Sequence, residues 1–443
     1  MPGFPSDKGG PLNVNSIPNG HQENASVGAV SSLLVVLPGR DEFSDVFCGI
    51  GQGTELFGSS MLRRVVLSAE KAGFDRIVVL AADENIVAVR TLLDATPAVV
   101  TTPLEATKLL DVRRIVVLRG DILADRKWLA SLRVRSVNAG TMDYDSDRAA
   151  IIESAPNSAA LAAVLPTVKT SEPDTFAAIA EIIEAKTCDL ADGGSLVLEP
   201  SVTVAQGEDW LLAGLVKETD GFMARLVARP ISLALTRRLV TTPISANAMT
   251  VFSTLIGVTG APFFLSSSPG FQFIGGMLFV THSVLDGCDG ELARLRFAES
   301  RLGGLLDYWG DNLVHIAVFT CMAIGWSLNV GSSWPLLAGC AAVFGTIGSA
   351  GFVHWRTMRP PVNPKKTGGP VFTSVAQSSG SDVSRILDAL ARRDFIYLVL
   401  LLSAFGKASW FLILAAFGAP LFFLLLLWVA YNERKLKVKR VNE

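Results

Sequence analysis

Between two strongly apolar runs the chain reads DGCDGELARLRFAESRLGGLLDYWGD, from Asp286 to Asp311. Asp286 and Asp289 are three residues apart and Asp307 and Asp311 four apart, so on helices each pair projects from one face. Residues 295–302 between the pairs are enough to reverse the chain. The spacing predicts two antiparallel helices presenting four carboxylates to a shared cleft near a membrane surface. Four like charges that close repel one another and lose solvation, and two divalent cations would cancel them. Oxygen-only ligands favour a hard ion, Mg²⁺ or Mn²⁺. Paired metals ~3.5–4 Å apart suit phosphate chemistry with an oxygen nucleophile. A carboxylate bordering such a cleft could take the proton from an alcohol.

The neighbours support a cleft. Gly290 and Ala293 continue the first stripe and Gly303 begins the second, and small side chains there admit a second helix or a ligand. Glu291 and Glu299 fall outside both stripes and read as solvated. His282 and His315 stand four residues outside Asp286 and Asp311; both read as packed, hydrogen-bonded helix histidines, either of which could tune a carboxylate. A different class of protein, an ion-coupled transporter, would also place acids inside a membrane.

The residues quoted carry a resemblance. Asp286-x-x-Asp289-Gly290-x-x-Ala293-Arg294, then eight residues, then Gly303-x-x-x-Asp307-x-x-x-Asp311 resembles the signature of the CDP-alcohol phosphotransferase family at every defined position. The resemblance implies transfer of a phosphoryl-linked alcohol from a CDP-alcohol donor to an acceptor hydroxyl, with release of CMP. It implies that Asp286, Asp289, Asp307 and Asp311 hold two metals, Mg²⁺ or Mn²⁺, and that Asp311 is also the base. Gly290, Arg294 and Ser300 would contact the CDP moiety, with Ala293 and Gly303 in the same pocket. The family often has Pro-Asn entering the first span; this chain has Ala246-Asn247, and Asn247 is the corresponding nucleotide contact. Relatives with a phosphorylated acceptor use span-end arginines, which ARRDFIYL (391–398) resembles, so Arg392, Arg393 and Arg356 are the acceptor candidates. A membrane-embedded homodimer is common among such proteins. The donor could be CDP-diacylglycerol, giving a phospholipid, or CDP-inositol, with inositol phosphate as acceptor.

The elements that must position these residues come in two kinds. The chain has 443 residues, 50% hydrophobic and 18% charged, but its halves differ. Residues 1–230 alternate apolar and charged segments; beyond them lie apolar runs at about 246–265, 271–289, 304–327, 335–353, 393–409 and 410–431. The last two runs are continuous, with Gly406-Lys407 or Gly418–Pro420 as the turn. Six spans are therefore expected, embedded in lipid. Lys and Arg gather in the second and fourth links and the tail, while SSSPGF and NVGSSW have none, which places the basic face in the cytoplasm of an inner-membrane protein. The soluble half and the C-terminus share that face. A net charge of −2 gives no sign of a nucleic-acid partner. The five cysteines show neither a disulfide framework nor a zinc spacing.

Residues 1–30 are Gly-, Pro-, Asn- and Ser-rich, lack the apolar core of a signal peptide, and read as disordered. SLLVVLPG (32–39), RIVVLAAD (76–83) and RRIVVLRGD (113–121) read as buried strands separated by helices, giving an α/β domain over 31–225 with a parallel sheet. TFAAIAEIIEAK (175–186) reads as a helix and SLVLEP as a late strand. The six-helix membrane domain would then occupy 226–443. The order of the soluble half resembles a sugar-phosphate nucleotidyltransferase, with Gly120-Asp121 at the strand-end metal site. Fusion to this membrane domain resembles bifunctional enzymes that make CDP-inositol and then di-myo-inositol phosphate phosphate. The chain departs from the nucleotidyltransferase pattern in two places. LPGRDEFSDVF stands where a Gly-rich loop ending in Arg is usual, and Gly58-Ser59-Ser60 stands in place of Gly-Lys-Pro. Loss of cytidylyl transfer is expected.

Overall fold

In a computed structural model the described residues are 32–37, 53–110, 112–153, 162, 174–190, 193–198, 202–216, 220–358 and 395–442. The expectations for the disordered N-terminus, the loop after the first strand, Arg392 and Arg393 lie outside them.

Apolar strands need cover on both faces, and the N-terminal part supplies it. Seven strands form one sheet in the order Glu184–Thr187, Thr141–Asp145, Ala149–Glu153, Arg114–Leu118, Ser32–Val36, Arg76–Leu80 and Val99–Thr101. Ser32–Val36 is buried throughout and lies parallel to both neighbours. Leu34 and Val36 pack on one face with Leu62, Val65 and Val66 of the helix Met61–Ala72. Leu33 and Val35 pack on the other with Phe176 and Ile179. Such two-sided burial explains the unbroken apolar runs. The sheet departs from all-parallel at one strand, Ala149–Glu153, which is antiparallel to both partners. The helix expected over 175–186 also needs correcting. It spans Asp174–Ala180, and Glu184–Thr187 instead pairs parallel with Thr141–Asp145. Pairing with Thr141–Asp145 at the sheet edge satisfies that segment's backbone, and this tertiary context overrides the helix propensity of Glu184, Ala185 and Lys186.

The C-terminal part is helical. Ala246–Gly260 continues as a 3-10 turn to Leu265 and is followed by Pro269–Leu295, Arg301–Val330, Trp334–Thr357, Phe395–Ala404 and Ala408–Asn442. Among the described residues four segments, Ala246–Leu265, Arg301–Val330, Trp334–Thr357 and Ala408–Asn432, are long and apolar enough to cross a membrane. Phe252, Leu255, Phe344, Phe417 and Leu424 project outward from them, exposed. A belt of that kind is at home against lipid and marks an integral membrane protein. Between the last two helices the chain turns at Gly406, whose φ is +67°, and Pro420 lies inside the final helix.

The two parts meet. Phe57 packs with Leu212, Leu215, Val240, Met249, Cys288, Leu292 and Leu295 in one buried apolar cluster. The α/β part therefore rests against the end of the helix Pro269–Leu295 that carries the first aspartate pair.

Candidate active site

The two signature helices, Pro269–Leu295 and Arg301–Val330, are joined by the five-residue turn 296–300. The turn closes with a left-handed residue. Phe297 has φ +54°, Ala298 N–H donates to the Ala293 carbonyl and Phe297 N–H to the Arg294 carbonyl, the paired bonds of a helix stop. Ser300 then caps the second helix, its hydroxyl accepting from Gly303 N–H at 3.0 Å. The reversal expected from residues 295–302 is thus built from local hydrogen bonds.

It brings three of the four aspartates together. One carboxylate oxygen from each of Asp286, Asp289 and Asp307 lies within 4.8 Å of the others. Asp286 and Asp289 are buried and Asp307 half-buried. Thr250, on the helix Ala246–Gly260, donates its hydroxyl to Asp289 Oδ2. Asp311, one turn beyond Asp307, has Oδ1 3.3 Å from His282 Nε2, and the other ring nitrogen, Nδ1, lies 3.0 Å from the Ser253 carbonyl oxygen. Close approach of three helices makes this contact. A Cβ built on Gly257 would lie 2.6 Å from Val314 and 2.9 Å from the His282 ring, so glycine is required there. His282 therefore touches a signature carboxylate while being packed and hydrogen-bonded; His315 is packed among Phe279, Phe319 and Phe395.

Converging all-oxygen donors, two of them buried, fit a hard divalent cation. Burial of like carboxylates within 4.8 Å is stabilised by positive charge between them. The nucleotide-side candidates also assemble. A Cβ on Gly303 would fall 2.7 Å from Asn247 Oδ1 and 3.1 Å from Ser300 Oγ, so these three share one corner. A Cβ on Gly290 would sit 3.2 Å from Arg294 Nη1, so the guanidinium lies back across the glycine, one turn away on the same face as Gly290. Ala293, half-buried, neighbours it. Arg356 occupies the last turn of Trp334–Thr357, a helix tied to the second signature helix by Arg301 donating to Met358 O and Tyr308 donating to Ala350 O, both at 3.0 Å.

Two expectations fail. Glu291 is completely buried, not solvated. Its carboxylate accepts from Arg229 (2.6 Å), Ser232 (2.8 Å) and Thr236 (2.7 Å), all on the helix Arg229–Leu239, and Arg229 also holds Asp220. Burial works against the Arg229 charge, but Asp220 and Glu291 outweigh it and hold its pKa above the usual value. Glu299 is also engaged, 3.3 Å from Lys71 and 4.0 Å from Arg126. Helical phase could not reveal these partners, because they come from other elements. Thr250 escaped sequence reasoning too, although it lies one turn from Asn247.

In the α/β part, Asp121 is gripped by Arg119, Nε to Oδ1 at 2.9 Å and Nη2 to Oδ2. Arg119 itself is buried. Phe57 and Gly58, both with positive φ, form the tip of a tight hairpin, and Ser60 caps the helix Met61–Ala72.

Residues 243–379 match the sequence model of the CDP-alcohol phosphatidyltransferase family, and the whole 286–311 constellation falls inside that match. The bifunctional IPC transferase and DIPP synthase of Rubrobacter xylanophilus is 32% identical over 164 residues, 36% of this chain and 36% of that protein. The protein of the same name from Thermococcus kodakarensis is 41% identical over 105 residues, 24% of this chain and 23% of that one. The chain therefore spans only 36% and 23% of the length of these two curated relatives. A crystal structure of Mycobacterium tuberculosis phosphatidylinositol phosphate synthase with CDP-DAG bound aligns with 44% of this chain and 90% of that one, at 18% identity and a TM-score of 0.29.

Proposed function

We propose that this chain is a membrane transferase that moves a phospho-alcohol group from a CDP-alcohol to an acceptor hydroxyl and releases CMP. The observation that carries this reading is the convergence of Asp286, Asp289 and Asp307 within 4.8 Å on two helices whose every signature position is intact. Asp286, Asp289, Asp307 and Asp311 would hold two Mg²⁺ or Mn²⁺ ions. Bound there, the metals would neutralise the pyrophosphate and the charge developing on its oxygens.

The chain's own residues do the rest. Asn247, Gly290, Ala293, Arg294, Ser300 and Gly303 hold the CDP moiety, the glycines by leaving room and Arg294 by charge. Asp311 takes the proton from the acceptor hydroxyl. The acceptor oxygen forms a bond to the phosphorus that bears the donor alcohol, the bond from that phosphorus to the bridging oxygen breaks, and CMP leaves with the electron pair. His282, 3.3 Å from Asp311, fixes the carboxylate's orientation. An ion-coupled transporter would not need the Gly, Ala and Arg positions.

In this reading the domains divide at 225/226. Six helices cross the membrane, including the charged Pro269–Leu295 and the short Phe395–Ala404. The α/β domain and C-terminus face the cytoplasm of the inner membrane, and the transferase pairs as a homodimer. Of the two donors, CDP-inositol is favoured over CDP-diacylglycerol, with inositol phosphate held by Arg356, Arg392 and Arg393. The fused α/β domain and the names of the curated relatives support that choice. The 3-2-1-4 run of strands in its sheet is that of doubly wound nucleotide-binding folds, whose ligands sit where the order reverses. Asp121 stands at that place but is spent on Arg119, which supports a nucleotidyltransferase-like domain that no longer transfers cytidylyl groups.

The test is to incubate the purified full chain with CDP-inositol or CDP-diacylglycerol, a panel of inositol acceptors, and Mg²⁺ or Mn²⁺, identifying products by mass. Metal-dependent CMP release is expected; no release from either donor sinks the reading. CDP-inositol formed from CTP and inositol phosphate would refute the loss of cytidylyl transfer.

A further inference from the structure

The turn that joins the signature helices is held from outside the membrane part. Arg64, 2% exposed on the helix Met61–Ala72, donates Nε to the Leu56 carbonyl and Nη1 to the Leu295 carbonyl, each at 2.9 Å. Leu295 is the last residue of the first signature helix, where carbonyls lack helical partners and attract cations. The Arg64 guanidinium also faces the Phe297 ring, 6.0 Å from its centroid. Phe297 holds the left-handed position, where glycine is the usual choice, and its ring meets this cation. One helical stretch further along, Lys71 meets Glu299 on the other side of the same turn, joined by Arg126. The hairpin tip Phe57 fills the space beneath, against Leu292 and Leu295. Burial lowers the Arg64 pKa to about 10 against the opposing pull of Glu208, so it remains charged at neutral pH.

We infer that the α/β domain serves the transferase as a clamp on this turn, with Arg64 and Glu299 as positioning residues for donor binding. The inference rests on the proposed CDP-alcohol reaction. The clamped residues 295–299 lie between Arg294 on one side and Ser300 and Gly303 on the other, so their conformation sets the spacing of the nucleotide contacts. The aspartates Asp307 and Asp311 lie deeper in the second helix, away from the clamp. The hairpin that replaces Gly-Lys-Pro has thereby become a docking element.

The experiment is steady-state kinetics of CMP release by the full chain, together with amide hydrogen exchange. Arg64→Met and, separately, the less buried Glu299→Gln should raise the donor KM about tenfold while kcat stays within about threefold. Lys71→Glu should do the same, and the charge swap Lys71→Glu with Glu299→Lys should restore the donor KM. Simple loss of folded enzyme would instead lower kcat and leave KM unchanged, and that pattern overturns the inference, as does an unchanged KM in both variants. Exchange at residues 296–303 should accelerate in both variants while 313–330 stays protected. If the unsubstituted chain releases no CMP, the proposed reaction fails, and the exchange measurement alone decides the clamp: unchanged exchange at 296–303 refutes it.

Discussion

The Nε2 of His282 lies 3.3 Å from Asp311 Oδ1, while Nδ1 of the same ring lies 3.0 Å from the Ser253 carbonyl oxygen. A carbonyl only accepts, so Nδ1 carries hydrogen and Nε2 is the atom turned toward the carboxylate. The ring thus stands between the helix Ala246–Gly260, at Ser253, and the carboxylate proposed as base.

His282→Phe keeps the packing beside Phe279 and removes both polar contacts. It should lower kcat about 10–100-fold, as loss of an orienting partner does, with donor KM changed little. Asp311→Asn should abolish turnover yet retain CDP binding, measured by calorimetry. Unaltered CMP release in Asp311→Asn would remove the base from the mechanism.

Chelation should stop CMP release completely, and added Mg²⁺ or Mn²⁺ should restore it. Asp286→Asn and Asp289→Asn each replace one buried carboxylate of the proposed metal site by a neutral amide, so the metal concentration for half-activity should rise at least about tenfold. A metal titration that superimposes on that of the unsubstituted chain would contradict the assignment.

Gly303→Ala places a methyl group 2.7 Å from Asn247 Oδ1, well inside contact distance. Donor KM should rise about tenfold as Asn247 is displaced. In an Asn247→Ala background the same substitution should have a much smaller effect, because the two act on one contact. Additive effects would separate Asn247 from the nucleotide corner.

Glu291→Ala leaves Ser232, Thr236 and one side of Arg229 without their buried acceptor. A destabilisation on the order of 2–3 kcal/mol is expected, since hydrogen bonds to a charged group are lost inside the fold while Asp220 still compensates Arg229. Thermal unfolding in detergent measures it. A midpoint equal to that of the unsubstituted chain would mean that the network contributes nothing.

How far the sequence could be read depends on the kind of interaction. The convergence of Asp286, Asp289 and Asp307 was legible because two helices joined by a short turn bring them together by backbone geometry alone. The polar segment 184–187 was misread as helix because its partner strand, Thr141–Asp145, lies about forty residues earlier. Glu291 was misread because helical phase reports which residues share a face and is silent about what packs there. The choice of Gly406 over Gly418–Pro420 for the last turn was equally hidden, since both sites have turn chemistry.

Spacing and hydropathy alone located the four aspartates, the small residues beside them, and the division into an α/β half and an apolar helical half. Spacing and apolar periodicity are local properties, and a chain carries them wherever it folds. Long-range packing was needed to bring Thr250 and His282 to the carboxylates, to lock Glu291 under Arg229, and to set Arg64 against the turn between the signature helices. Those contacts join residues 29 to 231 positions apart, and such pairs are chosen by packing and by the need to satisfy buried charge, neither of which any short window of sequence contains.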